Sequence, residues 1–142
     1  MANIVALLDS MWGWRGYNTP NEQAPRYYRI NRENQSGRRL YRLCGSHQLL
    51  VTNCCKFVQC SAYHHGVPDL EWTESNLMFL QAERFDLLLV CGAVARRTFQ
   101  VLRGEEGKFG KWLYMDHPAA RRWSNETLNA KAVEISHLLE GA

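Results

Sequence analysis

No apolar run in the chain approaches the roughly 20 residues that a membrane-spanning helix needs; the longest, Leu87–Gly92 with its neighbours, is far shorter. The stretch Ile4–Leu8 is too short for the apolar core of a signal peptide and has no basic start. The reading is therefore an intracellular protein with no membrane partner: cytoplasmic, and nucleoid-associated if it binds DNA. Cysteine is sparse and odd in number, with five residues and no Cys-x-x-Cys pair. That spacing excludes a secreted disulfide framework and predicts reduced thiols. Internal repeats and low-complexity tracts are also lacking. With 46% hydrophobic and 22% charged residues, the composition excludes a disordered chain.

What is present suits one domain. A chain of 142 residues can bury roughly two thirds of its unfolded surface without disulfides or metal, so residues 1–142 are read as a single domain. Net charge is +3, but unevenly placed: seven arginines from Arg15 to Arg42 face only Glu22 and Glu33, leaving +5 there and −2 elsewhere. Beside Tyr17, Tyr27, Tyr28 and Tyr41, this arginine excess suits a phosphate-rich partner. A solvated loop is the plain alternative.

Four short apolar runs mark strands: Asn3–Leu8, Leu49–Thr52, Leu87–Cys91 and the weaker Trp112–Met115. Apolar runs without alternation belong to a parallel sheet covered on both faces. Helical patterns separate them. Leu40, Leu43 and Cys44 share a face before the stop at Gly45. Thr73 is a candidate N-cap for a helix carrying Leu77, Phe79 and Leu80. Gly92 leads into Ala93–Leu102, with Val94, Thr98, Val101 and Leu102 as its stripe and Gly104 as terminator. Ser124 with Thr127 opens the last helix, through Leu139. The expected fold is α/β: a three-layer α/β/α sandwich with a short, mostly parallel four-stranded sheet. The stretch 9–35 has no periodicity; directly after the first strand, a loop of that length points to function.

In an open α/β sheet, ligands bind beyond the carboxyl ends of the strands. Asp9 ends the first strand, Asn53 the second, Gly92 the third, and Asp116-His117-Pro118 the fourth. An amide reads donors and acceptors on a base edge, an imidazole stabilises charge on an oxygen, and a carboxylate orients water or supports a cationic sugar. Each also has a plain role: a turn cap for Asp9, an Asx turn for Asn53, a loop entry for His117. Cys54, Cys55, Cys60, His64 and His65 suggest zinc, but vicinal cysteines do not readily share one tetrahedral ion. No metal and no cofactor are therefore expected.

These strand ends resemble the uracil-DNA glycosylase superfamily. Leu7-Leu8-Asp9-Ser10 resembles its first motif, Val51-Thr52-Asn53 its central asparagine motif, and Asp116-His117-Pro118-Ala119 its His-Pro-Ser motif. Ser36–Tyr41 and Leu88–Ala95 resemble the glycine-led helix and the third strand with its helix start. The first motif lacks its glycine and proline, and Ala119 stands where the family has serine. The resemblance implies base excision by hydrolysis of an N-glycosidic bond after flipping of uracil or a related modified base, in DNA repair. Asp9 and His117 would be catalytic, Asp9 positioning water and His117 donating toward the base O2. Asn53 would bind the base, and an aromatic from Trp12, Trp14, Tyr17, Tyr27 and Tyr28, with Tyr17 favoured, would stack on it. Arg38, Arg39, Arg121 and Arg122 would contact DNA, single- or double-stranded. Some branches hold an iron–sulfur cluster with cysteines near the chain start; here the first cysteine is Cys44. The alternative is an inactive module of the same fold that binds a modified base, nucleotide or single-stranded DNA. A third reading, from outside the family, is a flavodoxin-like interaction partner.

Overall fold

The computed structural model describes residues 1–10, 23–58, 67–104 and 108–140. Strands β1 (Asn3–Leu8), β2 (Gln48–Asn53), β3 (Leu87–Cys91) and β4 (Trp112–Met115) alternate with helices α1 (Gln35–Cys44), α2 (Leu70–Ala82), α3 (Ala93–Arg103) and α4 (Asn125–Glu140). They form one sheet in the order β2-β1-β3-β4. All neighbouring strands are parallel, with Leu8 opposite Asn53, Leu7 opposite Val90 and Cys91 opposite Met115. The α/β expectation holds. Among the described residues, no helix is long and apolar enough to cross a membrane.

Alternate residues of each strand enter two separate cores, which explains the unbroken apolar runs. Ile4, Ala6 and Leu8 pack with Leu40 and Leu43 of α1 and with Leu128, Ile135 and Leu139 of α4. Val5 and Leu7 pack with Leu77 and Leu80 of α2 and with Ala95 and Phe99 of α3. Connection direction accounts for this division. The β1-to-β2 step runs one way along the sheet and the later steps run the other. Crossovers of one hand therefore put α1 on one face and α2 and α3 on the opposite one.

The outer edge of β2 is not left open. Tyr28 exchanges two backbone hydrogen bonds with Val51, both 2.9 Å, and the Ala24 N–H donates to the Lys56 carbonyl at 2.8 Å. These antiparallel single bridges blunt an edge that would otherwise pair with another chain. They also give a structural role to residues 23–30, which lie within the aperiodic stretch.

Two local expectations need correction. The N-cap of α2 is Asp69, whose carboxylate accepts from Trp72 N–H at 2.8 Å. Thr73 lies inside the first turn, and its hydroxyl reaches the Asp69 carbonyl at 2.7 Å. On α3 the buried residues are Ala95, Thr98 and Phe99, while Val101 is 66% exposed. The aromatic pair on β4 turns the helix. Phe99 meets Trp112 and Tyr114 at 5.6 and 6.3 Å, and Arg96 and Arg103 lie over the same two rings, at 4.7 Å from Tyr114 and 5.0 Å from Trp112. Arginines cover rings with both stem and cation, so this face is wider than its apolar letters show. The expected opening of α4 is present: Ser124 and Thr127 cap each other reciprocally, at 2.7 Å and 3.1 Å.

Asp69→Ala should destabilise the protein by about 1 kcal/mol through loss of the cap. Urea unfolding reads this, and Thr73→Ala should leave α2 formed, because Asp69 still caps it.

Candidate functional site

Adjacent strands β1 and β3 send their following helices to opposite faces, so a crevice opens between their carboxyl ends. Asp9 follows β1, Gly92 follows β3, and the turn bearing His117 follows β4. Gly92 has φ +92°, a backbone region that side chains rarely adopt, and a Cβ there would lie 3.2 Å from the His117 Cβ. Glycine thus lets the turn after β4 close over the end of β3.

His117 is held on three sides. The Ala119 N–H donates to its Nδ1 at 3.0 Å. Its carbonyl accepts from the Ala120 N–H and from the Trp123 indole Nε1–H, both at 2.8 Å. Because Nδ1 is an acceptor, the proton of the neutral ring sits on Nε2. Burial holds the His117 pKa below its ordinary value, while the Asp9 carboxylate acts in the opposite direction. Desolvation is the larger effect, so the imidazole is neutral at pH 7 with the negative charge of Asp9 beside it. This arrangement is a hydrogen-bond donor, not a cation.

Asp9 also fixes the end of β2. Its backbone carbonyl accepts from the Cys54 and Cys55 N–H groups at 3.1 and 3.0 Å, and its Oδ1 accepts from the Cys55 thiol at 3.6 Å. The two vicinal cysteines therefore have different neighbours: Cys54 joins the core beneath α2 and α3, whereas Cys55 serves Asp9. Burial pushes the thiols of Cys44, Cys54 and Cys55 up to about 12. The other members of the imagined zinc set, Cys60, His64 and His65, lie outside the described residues.

Asn53 is 2% exposed. Its Nδ2 donates to the Tyr28 hydroxyl at 2.9 Å, but its Oδ1 is buried without a partner among the described residues. Burial pushes the Tyr28 pKa up to about 12, so the hydroxyl stays protonated. An orphaned buried acceptor costs about 1–3 kcal/mol, and such groups call for an explanation. Asn76, the Arg103 Nε and the Tyr114 hydroxyl also have unpaired buried atoms, but they belong to α2, α3 and the body of β4. Among the described residues, Asn53 is the one at a strand's carboxyl end.

The arginines divide. Arg121 and Arg122 are exposed on the turn after His117, with Arg122 in a loose 3.5 Å pair with Asp116. Arg38 is exposed, with Nη1 on the Glu33 carbonyl at 2.6 Å. Arg39 turns inward: its Nη1 donates to the carbonyls of Pro118 and Ala120 at 2.7 and 3.0 Å. Of the aromatic candidates, Tyr28 binds Asn53, while Tyr27 stacks at 5.9 Å on Phe79, which is 39% exposed and lies outside the core. Tyr17, Trp12 and Trp14 lie outside the described residues. Sequence reasoning missed the Cys55 and Trp123 contacts; the proximity of Cys55 to Asn53 was the available signal.

A carboxylate, a neutral imidazole protonated on Nε2 and an amide oxygen without a partner among the described residues can orient water, bind a polar base edge and stabilise charge on a leaving oxygen. No family model and no curated protein matches the chain.

NMR titration of the ring should place the His117 midpoint below about 6.5. As pH falls, the unfolded chain takes this proton first, so the contribution is full above about 6.5 and is lost below it. His117→Asn should therefore lose less stability than wild type between pH 7.5 and 5.5; an equal loss would refute the assignment. Gly92→Ala should displace the His117 ring and destabilise the protein by roughly 1–3 kcal/mol, as expected for a strained backbone position. Ring shifts and thermal unfolding read the two effects.

Proposed function

We propose that the crevice hydrolyses the N-glycosidic bond of uracil, or of a related modified base, in DNA. The observation that carries this reading is the pairing of a neutral His117, protonated on Nε2, with the Asp9 carboxylate, from the ends of the two strands that flank β3. The target base leaves the stack to reach them. As the C1′–N1 bond breaks, its electron pair departs with the base, and the Nε2–H of His117 meets the negative charge growing on O2. Asp9 supports the cationic sugar and takes a proton from the water that bonds to C1′. Asn53 offers its unpaired Oδ1 to an N–H of the base edge, and Arg121 and Arg122 supply cations beside the emptied stack.

A second reading is supported by Ala119 and by the engagement of the Asn53 amide with Tyr28. An inactive module of this fold would keep the base pocket and lose turnover.

Release of base from a labelled oligonucleotide with one uracil, single- and double-stranded and developed with alkali, separates the two. Strand cutting should fall at least about 100-fold in Asp9→Asn and in His117→Ala, the scale of a lost acid–base group or oxyanion donor. Binding without cutting at enzyme excess favours the inactive module. If uracil-containing DNA is neither cut nor bound, both readings fail.

A further inference from the structure

The half-buried guanidinium of Arg39 points away from solvent, into the turn that carries His117. Its Nη1 has two hydrogens, and both are used, one on the Pro118 carbonyl and one on the Ala120 carbonyl. The same turn is closed by the Ala120 N–H on the His117 carbonyl, by Trp123 on that carbonyl, and by the Ala119 N–H on Nδ1. Pro118 and Ala120 flank Ala119, so fixing their carbonyls fixes the direction of the N–H between them. That N–H decides which imidazole nitrogen carries the proton.

The base of this clamp is rigid. Asn34 caps α1 by accepting from the Gly37 N–H at 2.6 Å, and a Cβ on Gly37 would run into the Asn31 carbonyl. One turn further along α1, Arg42 donates to Asn125 at 2.8 Å and to Asn129 at 2.9 Å, gripping the start of α4. Two arginines on one helix thus hold the β4–α4 connection from its turn to its helix.

Building on the proposed hydrolysis, we propose that Arg39 is a positioning residue, which orients His117 through the carbonyls of Pro118 and Ala120, rather than a contact to DNA phosphate. Charge-assisted bonds to two neutral acceptors give orientation without neutralising the arginine. Lysine can reach one carbonyl at a time but lacks the planar fork; glutamine keeps an N–H donor and loses the charge.

The test uses the full chain with Arg39→Ala, Arg39→Lys and Arg39→Gln, with Arg121→Ala for comparison. Nitrogen-15 shifts of the His117 ring at pH 7.5 report its tautomer in the ligand-free protein. Wild type should show Nε2–H alone, Arg39→Ala a mixture, and Arg39→Lys partial recovery. With uracil-containing single-stranded DNA, Arg39→Ala should lower kcat about 10- to 100-fold, as expected for a misplaced reacting group, with KM within about twofold of wild type. Its salt dependence of binding should match wild type, whereas Arg121→Ala should lower that slope by about one. An unchanged tautomer in Arg39→Ala would overturn the proposal, as would a reduced salt slope with kcat intact, which marks a phosphate contact. If Arg39→Ala does not fold, the tautomer in the Lys and Gln variants decides. If wild type releases no uracil, the hydrolysis reading fails, while the ring shifts still decide the role of Arg39.

Discussion

Strand β1 lies between β2 and β3 with helices over both its faces, and every residue from Ile4 to Leu8 is buried. A strand so enclosed has no room for a polar side chain along its length. Along β1, polar side chains are therefore confined to the strand's ends. The sheet order then separates the helices that leave β1 and β3, so one carboxyl-terminal gap stays uncovered. Gly92 and Asp9 meet His117 there because the strands bearing them are parallel, and Asn53 ends the neighbouring strand opposite Leu8. Packing thus determines where chemistry can occur before any side chain determines what it is.

Within the gap, orientation comes from backbone groups. The ring of His117 is tied by the Ala119 N–H, and its carbonyl by Ala120 and Trp123. Two electrostatic effects compete on the ring: removal from water opposes its charge, and Asp9 favours it. The net direction is downward, so desolvation wins and the ring can donate a hydrogen bond without carrying charge. The cations around it are not equivalent. The pair between Arg122 and Asp116 joins two exposed side chains, where solvent screening leaves little energy. Arg39 makes shorter bonds from a half-buried position, and holds the turn more firmly.

Strands and helices were legible because their residues meet a uniform demand. Leu87–Cys91 is buried throughout, so its letters are apolar throughout. Asp69 and Thr73 both suit the start of α2, and only the contact with the Trp72 N–H separates them. The face of α3 does not follow its apolar letters, because Arg96 and Arg103 cover Tyr114 and Trp112. At the site, the chemistry of Asp9, Asn53 and His117 was visible in their positions at apolar-run ends. Their partners were not. Tyr28 reaches Asn53 across 25 residues and Arg39 reaches Pro118 across 79. Nothing local in the sequence distinguishes an arginine facing carbonyls from one facing phosphate.

Ala119 brings these threads together. The resemblance to uracil-DNA glycosylases expects a serine hydroxyl there to meet phosphate, and alanine has none. The backbone of the residue still serves His117, since its N–H is the donor to Nδ1. Under the glycosylase reading, the anchoring of DNA on this turn shifts to the exposed Arg121 and Arg122. A hydroxyl fixes one phosphate oxygen by direction, whereas two exposed guanidinium groups act through longer-ranged charge that salt screens. The turn therefore divides its functions between its sides, with the carbonyls of Pro118 and Ala120 turned inward to Arg39 and the cations outward. An orientation set from inside the protein does not depend on how DNA is gripped from outside. Under that reading, a chain with alanine in place of the serine still keeps His117 in position.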